Sequence, residues 1–104
     1  KFYKNNTNFT LVLKGKNTIV KSSKDIFINQ TGNSGMATAG SGDCLTGIIL
    51  SFLGQGLDPF ASAKLGVFLH GLSGDFAEEE IGEDSLLASD IIKYLPKAIK
   101  FIRK

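Results

Sequence analysis

Residues 31–43, Thr-Gly-Asn-Ser-Gly-Met-Ala-Thr-Ala-Gly-Ser-Gly-Asp, hold four glycines and follow neither a helical nor a strand period. A stretch of this length without periodicity is uncommon in a compact domain unless it has a task of its own. It also divides the chain into two unlike parts. Residues 9–30 before it are strand-like and the chain after it is helical, so the fold must bring a small sheet and a helical layer together across this loop.

Ahead of the loop, Phe9-Thr10-Leu11-Val12-Leu13 is a nearly continuous apolar and β-branched run, the pattern of a strand buried on both faces. Lys14-Gly15-Lys16-Asn17 reads as a turn, because Gly and Asn tolerate turn geometry. Thr18-Ile19-Val20 and Asp25-Ile26-Phe27-Ile28-Asn29 are two further strand candidates joined by the polar link Ser22-Ser23-Lys24. Links this short predict antiparallel hairpins.

Behind the loop, Cys44, Leu45, Ile48, Ile49, Phe52 and Leu53 form an apolar stripe at helical spacing that stops at Gly54 and Gly56. Asp58-Pro59 opens a second helix, with Asp as cap and Pro in the first turn. Its stripe of Ala61, Leu65, Phe68, Leu69, Leu72 and Phe76 runs to a stop at Gly82. Ser89-Asp90 should cap a third helix with Ile91, Ile92, Leu95, Ile99 and Ile102 facing inward. Pro96 should break or kink that helix, since it lacks an N–H and crowds the preceding turn. The predicted organisation is one α/β unit: a sheet portion over 1–30, a glycine-rich anion loop over 31–43 and helices over 44–104. Three strands are too few to shield these helices, so the chain reads as the C-terminal part of a larger α/β domain.

Composition narrows the function classes. The 104 residues are 42% hydrophobic and 21% charged, which fits a globular domain and opposes wholesale disorder. No apolar run approaches membrane-spanning length, and the basic N-terminus has no apolar segment behind it of the kind a signal peptide carries. Residues 1–24 carry six lysines and no acid, and all ten acids fall within 25–92. The basic ends lack the aromatic interleaving and arginine clustering of a nucleic-acid surface, so nucleic acid is not an expected partner. Cys44 is the sole cysteine, which excludes an internal disulfide and fits a reducing, cytoplasmic setting.

The loop carries the chemistry. The first N–H groups of a helix have no intrahelical acceptor, and the helix dipole adds partial positive charge there. Gly40, Ser41 and Gly42 therefore form a candidate anion hole, with glycines letting amides approach an oxyanion closely. Asp43 follows at the helix start, placed to take a proton from a substrate hydroxyl. Taken alone, Gly-Ser-Gly-Asp is also a common way to cap a helix. His70, between Leu69 and Gly71 on an apolar face, reads as a packed, hydrogen-bonded histidine, since no second His or Cys could share a metal. Cys44 and Met36 read as packing residues, and Glu78-Glu79-Glu80 as a solvated helix end.

The wider string from Asn33 through Asp43, continuing through Leu45, Gly47 and Ile48, resembles the signature of ADP- or ATP-dependent NAD(P)H-hydrate dehydratases of the ribokinase-like superfamily. Leu13-Lys14-Gly15-Lys16-Asn17-Thr18, Leu69-His70-Gly71 with Gly74-Asp75, and Leu87 to Ile91 with Leu95-Pro96 are similar to further segments of that family, so the resemblance covers nearly the whole chain. Ser34 stands where the family usually has proline and Cys44 where it has a small aliphatic residue, and the family domain is well over twice this length.

The resemblance implies an α/β/α sandwich with a mostly parallel sheet, of which this chain is the C-terminal part, and a homotetramer. The implied reaction is dehydration of (S)-NADHX or NADPHX to NADH or NADPH. It is driven by ADP or ATP with Mg2+ through phosphorylation of the ring hydroxyl and loss of phosphate. Lys14, Gly15, Lys16, Asn17, Thr18 and Gly42 would contact the nucleotide, and Asp43 would meet the hydrated nicotinamide as base. These residues alone, without the remainder of the domain, would be inactive. Two rivals share the glycine loop: a ribokinase-like kinase acting on a vitamin precursor or sugar, and a non-catalytic nucleotide-binding module. The Met36-Ala37-Thr38 run favours the dehydratase.

Overall fold

The computed structural model describes residues 9–15 and 17–103. Lys16 therefore lies outside the described residues. The apolar runs ahead of the loop form strands β1 (Thr10–Leu13), β2 (Ile19–Ser22) and β3 (Ile26–Ile28). They make one antiparallel sheet in the order β1-β2-β3, as the short links predict. Val12 pairs with Val20 and Val20 with Phe27, so these three share a face. That face meets the helices: Val20 is fully buried with Leu45, Ala63 and Val67, and Val12, Phe27, Ile49 and Phe60 pack around them. β1 is not buried on both faces. Helices cover one side of the sheet, and on the other Leu13, Ile26 and Ile28 are exposed. The strands here are antiparallel, in contrast to the mostly parallel sheet that the resemblance implies for a whole domain.

Four α-helices are described rather than three: α1 (Ser41–Gly54), α2 (Pro59–Ile81), α3 (Ala88–Lys93) and α4 (Leu95–Ile102). The extra one comes from Pro96. The predicted last helix breaks at Tyr94, and Pro96 falls in the first turn of α4, where its missing N–H has no helical acceptor to lose. Asp90, read as part of the cap, lies inside α3 and accepts the Leu87 N–H through Oδ2 at 2.9 Å. Asp58 caps α2 as predicted, accepting the Ala61 N–H at 3.1 Å, with Pro59 next and Gly82 at the end. Ile91 is fully buried, but Ile92 and Ile102 are exposed, as is Leu53 of α1. A single-helix period cannot span the break at Tyr94, so the stripe loses its phase before Ile102, whereas Ile92 lies ahead of the break and simply falls on a different side of α3 from its neighbour Ile91.

α2 is the centre of the helical layer, and its buried face keeps Leu69 of the predicted stripe, with Val67, but is otherwise made mostly of small residues. Leu65, Phe68, Leu72 and Phe76 are half-buried, whereas Ser62, Ala63, Gly66, Gly71, Ser73, Gly74 and Ala77 are buried. Small residues line this face because neighbouring segments come within backbone reach. A Cβ on Gly66 would stand 2.6 Å from Ile49 Cγ1 of α1; one on Gly71 would collide with Thr31, and one on Gly74 with Met36. Thr31 and Met36 belong to the glycine-rich segment, so α2 serves as the bed on which that segment lies. At the far end α4 folds back on α2 through the edge-to-face pair Phe76–Phe101, with Lys97 Nζ 4.7 Å above the Phe76 ring.

Gly71→Ala should cost about 1–3 kcal/mol, the usual range for forcing an atom into a closed site. Part of the collision is with the Thr31 carbonyl carbon, 2.7 Å away, which cannot swing aside. Gly47→Ala, on an open face of α1 with no atom within 4 Å of the new Cβ, should instead stabilise by about 0.5–1 kcal/mol through helix propensity. Urea denaturation of both variants separates the two outcomes.

Candidate functional site

A cleft of about 1040 Å3 opens between the β1–β2 turn, the segment after β3, and the facing parts of α1 and α2. Its walls bring together Lys14, Gly15, Asn17 and Thr18 from the turn and Ser41 and Gly42 from the start of α1. Gly40 and Asp43 do not line it. Gly40 is instead the residue that allows the helix to start here. Its φ of 87° is left-handed and it forms the N-cap without a side chain, so a residue with a Cβ would be strained at this position. α1 accordingly begins at Ser41, three residues ahead of the Cys44 at which the apolar stripe starts. Asp43 is the third residue of the helix and is exposed; the cap bond it would make under the simple capping interpretation is absent.

The start of α1 is electrostatically positive twice over. The Ser41 N–H bonds to the Thr38 carbonyl at 3.1 Å and the Cys44 N–H to Gly40 at 3.0 Å, leaving the N–H groups of Gly42 and Asp43 as the free donors of the first turn. Lys14 leaves β1 and reaches across the cleft, so that a Cβ built on Gly42 would stand only 2.7 Å from its Nζ. An ammonium beside a helix N-terminus is like charge on like charge. The pair becomes favourable when an anion sits between them.

The glycine-rich segment that frames the cleft is held by polar bonds to α2. Asn29, buried at the end of β3, donates to the Thr31 and Val67 carbonyls at 3.2 and 3.4 Å, and the Thr31 hydroxyl donates to Phe68 O at 3.0 Å. Asp75 accepts the Gly32 N–H at 2.9 Å and the Asn33 side-chain amide at 3.0 Å. Asn33 in turn donates to Gly74 O at 3.1 Å and accepts the Gly35 N–H at 3.0 Å, closing the turn of Ser34–Met36. Ser34 Oγ reaches Glu83 Oε2 at 2.6 Å. Sequence reasoning did not assign Asn29, Thr31 or Asp75 to the site. The available signals were a polar residue closing the apolar run of β3, and an acid following Gly74 in the stretch of α2 made mostly of small and apolar residues.

His70 is buried and hydrogen-bonded, as expected, and it also lines the cleft. Its Nε2 lies 3.1 Å from the Ser41 carbonyl oxygen and 3.3 Å from Ser41 Oγ. Burial pushes its pKa below the ordinary value of 6.5, and the Lys14 charge adds to this against the bond to the Ser41 carbonyl. Cys44 is half-buried, and burial raises its thiol pKa, which suits a packing role. Among the described residues no group of three or more His, Cys, Asp or Glu side chains could hold a metal ion, and no helix is long and apolar enough to cross a membrane.

A family model described as NAD(P)H-hydrate dehydratase matches residues 1–97. The chain belongs to this family. Among curated relatives, it is 47% identical over 91 residues to the bifunctional NAD(P)H-hydrate repair enzyme of Moorella thermoacetica, covering 86% of this chain and 17% of that protein. It is 49% identical over 84 residues to the ADP-dependent (S)-NAD(P)H-hydrate dehydratase of Neisseria meningitidis, covering 79% of this chain and 28% of the relative. The chain thus spans well under a third of these family members. The crystal structure of the ADP/ATP-dependent NAD(P)H-hydrate dehydratase from Bacillus subtilis, co-crystallised with ATP/Mg2+, superimposes with a TM-score of 0.83 at 35% identity, over 88% of this chain and 34% of the other. The small antiparallel sheet with its helices is therefore a portion of the α/β fold of ribokinase-like dehydratases.

His70 is the chain's single histidine, so its titration can be read without interference from another. Because its folded pKa is depressed, the unfolded chain binds the proton more readily. Stability should be level above about pH 6.5 and fall as pH drops from there through the lower folded value. Thermal midpoints between pH 5 and 7.5 should show this fall in the wild type and lose it in His70→Gln.

Proposed function

We propose that this chain supplies the nucleotide side and the catalytic acid–base residue of an NAD(P)H-hydrate dehydratase, which converts (S)-NADHX or NADPHX to NADH or NADPH at the expense of ADP or ATP. The observation that carries the reading is the Lys14 ammonium standing against Gly42 at the N-terminus of α1, on the wall of a cleft large enough for a nucleotide. Family membership supplies the substrate class.

In this reading Lys14 through Thr18, including Lys16, bind the nucleotide, with Lys14 a mobile point charge for phosphate. Of the expected Gly40-Ser41-Gly42 anion hole, Gly40 shapes the turn and the Ser41 N–H is tied to Thr38, so the Gly42 amide, with that of Asp43, is what meets the transferring phosphoryl group, where fixed donors stabilise developing charge without reorganising. Asp43, exposed one residue beyond the anion hole, meets the hydrated nicotinamide ring at the mouth of the cleft. The ring hydroxyl oxygen attacks the terminal phosphorus and its proton passes to the Asp43 carboxylate. The bond from phosphorus to the leaving nucleotide oxygen breaks, releasing AMP from ADP or ADP from ATP. The ring C–O bond then breaks, phosphate departs, and loss of a proton from the adjacent ring carbon restores the double bond. Asp43 activates the hydroxyl and the positive start of α1 holds the phosphate, so the two roles fall on neighbouring residues.

The donors on the cleft wall are an ammonium, hydroxyls, amides and an imidazole. They suit phosphate oxygens rather than a hard dication, which prefers carboxylates and water. Mg2+ would accordingly come with the nucleotide and supply charge neutralisation at its phosphates. A homotetramer and a cytoplasmic setting belong to the same proposal.

Lys14→Ala in the whole protein should weaken nucleotide binding by about 1–3 kcal/mol, the size of a charge-assisted contact. The loss should appear as a raised nucleotide KM with a smaller change in KM for NADHX, and unchanged nucleotide affinity would reduce Lys14 to a solvated strand-end residue. Asp43→Asn should lower turnover about 10²–10⁴-fold, the range for general acid–base catalysis. Nucleotide affinity and thermal midpoint should hold, because Asp43 neither lines the cleft nor caps the helix. Turnover within threefold of wild type would remove Asp43 from the chemistry.

A further inference from the structure

The contact between His70 and Ser41 has a direction that the hydrogen-bonding chemistry dictates. His70 Nε2 faces the Ser41 carbonyl oxygen at 3.1 Å, and a carbonyl oxygen can only accept. The proton must therefore sit on Nε2, and this nitrogen cannot serve as a base toward the Ser41 hydroxyl despite lying 3.3 Å from it. The one N–H is shared between two acceptors on the same residue, the carbonyl and Oγ. With its lone pair engaged by His70, the Ser41 hydroxyl has its own proton left to donate. Ser41 is buried at 8% exposure, lies on the cleft wall, and precedes the free amides of Gly42 and Asp43.

We propose that His70 is a positioning residue that orients the Ser41 hydroxyl as a third hydrogen-bond donor, beside the α1 amides and Lys14, toward a phosphate oxygen bound in the cleft. This deepens the nucleotide-side reading above and rests on it. The neutral state of His70 is what makes the arrangement work. Burial and the neighbouring Lys14 charge both disfavour the imidazolium, so the ring contributes direction and not a second competing cation. The ring also fastens α2 to the first turn of α1 at the residue whose amide is already tied to Thr38. The donors at the head of α1 are thereby set before the anion arrives, which is where preorganisation contributes most.

The test is calorimetric titration of ADP and of inorganic pyrophosphate, a probe without a nucleoside, into the whole protein. The series is wild type, Ser41→Ala, His70→Leu, His70→Gln and the Ser41→Ala/His70→Leu pair, with thermal midpoints recorded for each. Ser41→Ala and His70→Leu should each weaken both ligands about tenfold, the usual size of one hydrogen bond to a charged group. His70→Gln, whose side-chain amide can present an N–H near the Nε2 position, should stay within about threefold of wild type. Placed on the Ser41→Ala background, His70→Leu should add less than about threefold, because a residue acting through another is not additive with it.

The proposal is overturned if Ser41→Ala leaves both affinities unchanged, if His70→Gln is as weak as His70→Leu, or if the His70→Leu loss persists in full without the Ser41 hydroxyl. Should His70→Leu fail to fold, the proposal is overturned if Ser41→Ala leaves both affinities unchanged or if His70→Gln weakens them about tenfold rather than staying within about threefold of wild type. A wild type that binds pyrophosphate but not ADP overturns the nucleotide assignment alone, and the pyrophosphate series then supports or overturns the role of His70. A wild type that binds neither overturns both.

Discussion

The architecture depends on how closely other segments can approach α2. Gly66, Gly71 and Gly74 remove side chains where Ile49, Thr31 and Met36 press in. Where the approach is that close, side chains of the segment also come within hydrogen-bonding range of α2 backbone carbonyls. The Thr31 hydroxyl reaches Phe68 O, the Asn29 amide reaches Val67 O, and the Asn33 amide reaches Gly74 O. An irregular segment can be held this firmly only if its polar groups are satisfied, since a buried amide or carbonyl without a partner costs more than the bond returns. Asp75 completes the set by accepting from two successive residues of the loop. The steric closeness and the polar satisfaction are two consequences of one choice, a central helix with a small-residue face.

That rigidity bears on the charge arrangement. A lysine ammonium beside a helix N-terminus is unfavourable in isolation, so Lys14 would drift from the head of α1 if the surrounding walls did not bring it there. The β1–β2 turn is tied to the end of β3 by the bond from Asn29 N to Thr18 O at 2.8 Å, and β3 leads directly into the segment clamped on α2. The polar network thus holds two positive features on one cleft, the arrangement on which the proposed nucleotide role rests. Neutral His70 fits the same logic: a further cation on the wall would add repulsion without adding a donor that the neutral ring lacks.

Local chemistry made several elements legible in advance. Asp58-Pro59 marked the start of α2 because capping and proline preferences act within a single turn. Pro96 marked a helix break for the same reason, although the break fell two residues earlier, at Tyr94, so that the proline could occupy the first turn of α4. The short links around Lys14–Asn17 and Ser22–Lys24 marked the antiparallel order. What periodicity misjudged was burial. Leu69 is buried as its stripe predicts, but Leu65, Phe68, Leu72 and Phe76 are half-buried while glycines and serines fill much of the interior contact, because a hydrophobic stripe registers side-chain size and cannot register how near a neighbouring backbone comes.

The candidate site divides along the same line. The Lys14–Thr18 turn and the Gly40–Asp43 stretch were legible because anion binding by glycine-framed amides and a nearby lysine is chemistry written into adjacent residues. Local sequence therefore singled out which residues are candidates for binding an anion, and near which helix start. Whether they share a cleft was decided by tertiary packing, which brings Lys14 to Gly42 and His70 to Ser41 while leaving Asp43 on the outer side of the first turn. The roles of Asn29, Thr31 and Asp75 were decided there as well. Their partners lie 37 to 43 residues away along the chain, and a hydrogen bond across such a separation leaves no spacing or period in the sequence to be read.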